Sequence, residues 1–116
     1  MSRDLRLHCT PLDVLNYEIV QEQAVAFGRM GRVLEQALAR LREFDSAHPR
    51  SGGSASARQV RRTLLTEAGH ALWMLVVQRE ACGLRDTRTI MREYNVPIEV
   101  QRCMGAVLAN SMPAAI

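Results

Sequence analysis

The chain has 116 residues, 15 basic side chains against 12 acidic ones and a net charge of +3, and every basic residue is Arg. With 47% hydrophobic and 23% charged residues, the composition excludes a disordered chain. No run approaches the roughly 18 apolar residues of a membrane span, and the opening MSRDLRLHCTPLD lacks the apolar core of a secretory signal.

The first predicted element opens at Thr10-Pro11-Leu12-Asp13. Thr10 can cap a helix, Pro11 suits its first position, and Asp13 puts a carboxylate in the positive first turn. Cys9 and Val14 stand where a hydrophobic staple forms. The helix is predicted to run without a proline to about Phe44, a rod of roughly 50 Å. Residues 46–56, SAHPRSGGSAS, are Ser, Gly and Pro punctuation and predict an exposed connection. Ser56-Ala57-Arg58-Gln59 has the capping-box pattern, which predicts a second helix from there to about Cys82 with Gly83 as its left-handed stop. Asp86 is expected to cap a short third helix through Tyr94, ended by Asn95. Val96-Pro97 then starts a fourth to about Ala109, with a loose tail over 110–116. No alternating run marks a strand and no internal repeat is visible. The fold expected is all-α: a single domain over 1–116, made of a long antiparallel hairpin and two short C-terminal helices.

The apolar faces predict an assembly. The first helix carries Leu12, Leu15, Ile19, Ala26, Met30, Val33, Ala37, Leu41 and Phe44 along one stripe, and Val20, Ala24, Phe27, Gly31, Leu34 and Leu38 along the next. Together they are wider than the stripe of a surface helix. The second helix holds ALWMLVV at 71–77, apolar all round. A compact domain of this length has a radius of gyration of about 13 Å, which a 50 Å helix overshoots. Either the first helix breaks at Gly28 or Gly31, or a second copy covers its exposed face. The second alternative is favoured, as a homodimeric bundle about a two-fold axis. Each mid-helix glycine costs roughly 1 kcal/mol against Ala, and Ala24, Gly28 and Gly31 share nearly one face that would let another helix approach closely.

The stretches LNYEIVQEQAVAFGRMGRVLEQALARL (15–41) and EAGHALWMLVVQREACGLRDT (67–87) resemble a family of short bacterial helical proteins classed as a domain of unknown function. The likeness spans roughly residues 12–105. It implies a small all-helical fold and a bacterial origin, and no catalytic residues.

Three groups of residues could carry chemistry. Glu67 and His70 form an ExxH pair, and Glu18 and Glu22 lie one turn apart on the first helix. Di-iron bundles combine such elements, and a homodimer would supply two sets, yet a single ExxH is common and solvated surface is the favoured reading. Arg85, Arg88 and Arg92 share one face and offer a weak anion or nucleic-acid contact. TRTIMREYNVPIEVQRCMGAV around them has a helix-turn-helix look, but the turn is one residue short, and IEVQRCMGAV has too few polar groups to read base edges. It is expected to be a core helix. Arg58, Arg61 and Arg62 open the second helix and are expected to pair with Glu43 and Asp45. Finally, Ala24, Phe27, Gly28, Gly31, Leu34, Trp73 and Val77 are the candidate interface. The Leu65, Trp73, Val77 side of the second helix needs a cover, from the C-terminal helices, a second protomer or another protein.

Residues 1–53 hold seven Arg and seven acids, and residues 54–116 hold eight Arg and five acids. That excess is far below the dense basic surface of a dedicated nucleic-acid binder. The three cysteines, Cys9, Cys82 and Cys103, include no CxxC pair, so free thiols in a reducing cytoplasm are expected. No Ser/His/Asp or Cys/His grouping, phosphate loop or HExxH occurs. The reading is a small cytoplasmic bacterial helical protein, not an enzyme, that homodimerises and acts by interaction, with no cofactor. The runners-up are a weak nucleic-acid binder and a di-metal bundle.

Overall fold

A computed structural model describes residues 10–49 and 53–111, with side chains up to Met104. It holds four helices and, among the described residues, no strand: α1 Pro11–Ala47, α2 Ala55–Ala81, α3 Thr87–Glu93 and α4 Ile98–Ser111. Cys9 and the end of the tail lie outside the described residues.

α1 begins as its sequence dictates. The Thr10 hydroxyl accepts from the Asp13 amide and the Asp13 carboxylate accepts from the Thr10 amide, each at 3.1 Å. These reciprocal bonds hold the Asp13 carboxyl below its ordinary range. The helix passes Gly28 and Gly31 without a break. The start of α2 corrects the expected cap. Ser54, not Ser56, is the N-cap, and its hydroxyl accepts from the Ala57 amide at 3.1 Å. Gly83 stops α2 at φ +87° and Asn95 ends α3 at φ +51°. Asp86 precedes α3 but makes no side-chain cap bond. Its carboxylate is engaged by Arg79 instead, Nε to Oδ1 at 3.2 Å with a shorter second contact through Nη2. That pairing holds the Asp86 carboxyl low and the Arg79 guanidinium high.

α2 is the central element, with α1 on one side and α4 on another. Leu34, Ala37, Leu38 and Leu41 of α1 form the core with Leu65, Ala68, Ala71, Leu72, Leu75 and Val76 of α2. Ile90, Val96 and Val100 complete it. Gly69 sets the α2–α4 distance. A Cβ there would lie 2.9 Å from the Cys103 Cβ and 3.0 Å from its carbonyl carbon, so only glycine lets the two backbones come this close. Val100 is fully buried, so the start of α4 is core structure rather than a recognition helix. Cys82 and Cys103 are free and half-buried.

The hairpin register follows from its cross-contacts. Asp45 meets Arg61, Arg40 meets Glu67, and Arg79 lies over the Phe27 ring at 5.4 Å. α2 therefore ends level with about Val25, and the first four turns of α1 project beyond it. The radius of gyration is 19.4 Å, against about 13 Å for a compact chain of this length.

Candidate functional site

The projecting part of α1 is an apolar surface without a partner among the described residues of its own chain. Every residue from Pro11 to Glu22 is exposed. Leu12 is 64% exposed, Tyr17 65%, Val20 60% and Ile19 43%. Single exposed apolar residues are ordinary, but a contiguous set marks an interaction site. At 3.6 residues per turn, Leu12, Leu15 and Ile19 continue along one side of α1 into Ala26, Met30 and Val33. That stripe leads into an open groove of about 420 Å³ between α1 and α2, lined by Arg29, Met30, Val33, Ala37 and Arg40 on one wall and Glu67, His70, Ala71 and Met74 on the other. The α2 wall belongs to an open third face, where Met74 and Val77 are each 42% exposed. The apolar run 71–77 is thus enclosed on two sides and open on one.

The candidate interface residues divide. Leu34 is fully buried in the chain's own core. Gly31 is buried beneath the Tyr94 ring, whose hydroxyl occupies the place of a Cβ. Neither is available to a second chain, because the C-terminal helices already use them. Burial, with the Glu35 and Glu93 carboxylates, pushes the Tyr94 phenol up. Phe27 is half-covered by Arg79 and Trp73 is half-buried with its ring 5.9 Å from that of His70. Ala24, Gly28 and Val77 are exposed. A Cβ on Gly28 would meet only the Arg32 Nη1, at 3.6 Å. Ala24 and Gly28 lie across α1 from the Leu12–Val33 stripe.

The other candidates are scattered. Glu18 and Glu22 are exposed on the projecting part of α1, whereas Glu67 and His70 lie on the groove. Glu67 accepts from Arg40 at 3.5 Å in an exposed pair. Among the described residues no three His, Cys, Asp or Glu side chains form a metal-sized group. Arg85, Arg88 and Arg92 are exposed around α3.

Arg61 is the ionic junction that the sequence only half reveals. It meets Asp45 as expected, Nε to Oδ1 at 2.8 Å, and also Glu99 of α4, Nη1 to Oε2 at 2.8 Å. The hydrogen bonds it donates to Glu99 and then to Asp45 drive its pKa upward. Arg58 instead donates to the Gly53 carbonyl and Arg62 to the Gln59 side chain, so the expected pairing belongs to one arginine of the three. The signal for Glu99 was its place in the first turn of a predicted helix, but nothing local says which arginine it faces. Gly69 was missed as well, although a glycine between Ala68 and Ala71 inside an apolar helix is a sign of close approach.

Among the described residues no helix is long and apolar enough to cross a membrane. A family model described as Family of unknown function (DUF6665) matches residues 9–112. No curated protein and no solved structure matches the chain.

Proposed function

The chain belongs to that family of unknown function, and we propose that it is a small helical module that homodimerises and acts by interaction rather than catalysis. The observation that carries this reading is the projecting third of α1, apolar along one side and without a partner among the described residues of its own chain. Four exposed turns would gain little from remaining helical in water on their own, because most helical stability in proteins comes from tertiary packing. The chain's accessible surface is 8641 Å², against about 6,300 Å² for a compact monomer of this mass. The difference exceeds the roughly 800 Å² that each partner contributes to a standard interface. Light scattering on the purified protein at micromolar concentration tests the reading. The expected mass is twice 13.0 kDa, and a monomer at every concentration would overturn it.

A second reading rests on Arg88 and Arg92 of α3 and on Arg85 in the loop before it. Arg40, Arg61 and Arg79 each have a carboxylate, whereas Arg85, Arg88 and Arg92 have none among the described residues. Arg88 and Arg92 stand one turn apart on α3, and free guanidiniums suit phosphates. An anisotropy titration with duplex and single-stranded DNA at low salt should show weak, salt-dependent binding, and a flat titration removes this alternative.

A further inference from the structure

We propose that α1 pairs with α1 of a second copy in antiparallel register, about a two-fold axis level with Gln23 to Ala26, so that the projecting arm of each chain lies along the groove of the other. This rests on the homodimer reading and adds its geometry.

Charge sets the direction. Residues 11–25 carry Asp13, Glu18 and Glu22 and no base. Residues 26–40 carry Arg29, Arg32 and Arg40 against the single acid Glu35. A parallel pair would set like against like, and an antiparallel pair sets the acidic arm against the basic segment. The flanks agree as well. At 100° per residue Glu18, Glu22 and Arg29 fall on one edge of the apolar stripe. A two-fold axis perpendicular to antiparallel helices brings that edge of one helix beside the same edge of the other. Arg29 of each copy then lies between Glu18 and Glu22 of its mate. Arg29 is exposed and has no carboxylate among the described residues of its own chain.

The apolar stripe sets the register. Leu12, Leu15 and Ile19 repeat at three and four residues, and so do Ala26, Met30 and Val33. An axis midway between Gln23 and Ala26 puts Ile19 level with Met30 of the second copy and Leu15 beside its Val33. The arm thereby covers the half-buried Met30 and the 53%-exposed Val33 at the groove edge. Both arms are covered at once, so the contact closes and does not propagate.

Charge exchange with cross-linking tests this. Arg29→Glu should weaken dimerisation roughly tenfold, because each ionic contact occurs twice. Glu18→Arg with Glu22→Arg should do the same, and the three changes together should restore most of the affinity. Under mild oxidation Gln23→Cys should link to its own copy and Leu15→Cys should not, with the linked peptides identified by mass. A dimer indifferent to Arg29→Glu, or one in which Leu15→Cys links readily, overturns the antiparallel register and leaves the homodimer standing. A 13.0 kDa species throughout removes both.

Discussion

Between Gly31 and Leu41, α1 buries five residues against α2 and the C-terminal helices. Between Pro11 and Val25 the same helix buries none, although Leu12, Val14, Leu15, Ile19 and Val20 make it equally apolar. Helical periodicity is continuous across the two regions, so the difference lies wholly in what stands opposite. α2 is ten residues shorter than α1, 27 against 37, and the loop at the Asp45 end fixes which part of α1 is left over. Sequence reports that a surface wants cover. The lengths of the neighbouring elements decide whether the chain can provide it.

That contrast can be broken at once. Leu72 is fully buried in the inner region, and Leu72→Ala should cost about 2–5 kcal/mol in denaturant unfolding. Ile19→Ala, in dilute monomer, should fall within about 0.5 kcal/mol of wild type. Equal costs would mean that the arm has a partner in its own chain. The glycines give a second test. Gly69→Ala forces α2 and α4 apart and should destabilise by about 1–3 kcal/mol. Gly28→Ala, in open space, should stabilise by up to about 1 kcal/mol through helix propensity alone, as a rise in thermal midpoint would show. Arg61→Ala should cost about 1–2 kcal/mol, a partly exposed pair of carboxylates losing its shared cation, and urea titration would measure it.

The smallest effect is expected on acidification. The Asp13 and Asp86 carboxyls are both held below their ordinary range when folded. The stability they contribute is therefore complete above the ordinary carboxylate pKa and is lost as pH falls through the lowered folded values. Asp86→Asn should make the unfolding midpoint less steep between about pH 5 and 2. An unchanged slope would show that the Arg79 pair contributes nothing to it.

Much of the architecture was legible. The Thr10–Asp13 cap, the stop at Gly83 and the turn at Asn95 need only local geometry, and each stands where the residues predict. The α2 start was misplaced by two positions because Ser54 and Ser56 both satisfy the cap chemistry, and only the structure chooses between them. Asp86 looked like a cap because an acid before a helix usually is one, whereas a cation seven residues earlier in sequence captures it. The candidate surface was partly legible. The width of the α1 apolar face signals excess, but of the candidate interface residues Gly31 lies under Tyr94 and Leu34 lies in the core. A glycine records that something comes close without recording what.

The position of α2 governs how the molecule opens. It alone packs broadly against both α1, its neighbour in the chain, and α4, which follows after the short α3. Pairing between helices this close in sequence, adjacent or separated by one short helix, needs little loop closure, so folding should be fast. Amide protons of α2 from Leu65 to Val76 should exchange last, at the rate of global unfolding. Those of the α1 arm should exchange first in the free chain, because that segment can fray without disturbing the core. One continuous helix would then hold both the slowly opening centre of the hairpin and a segment that is free to melt and reform.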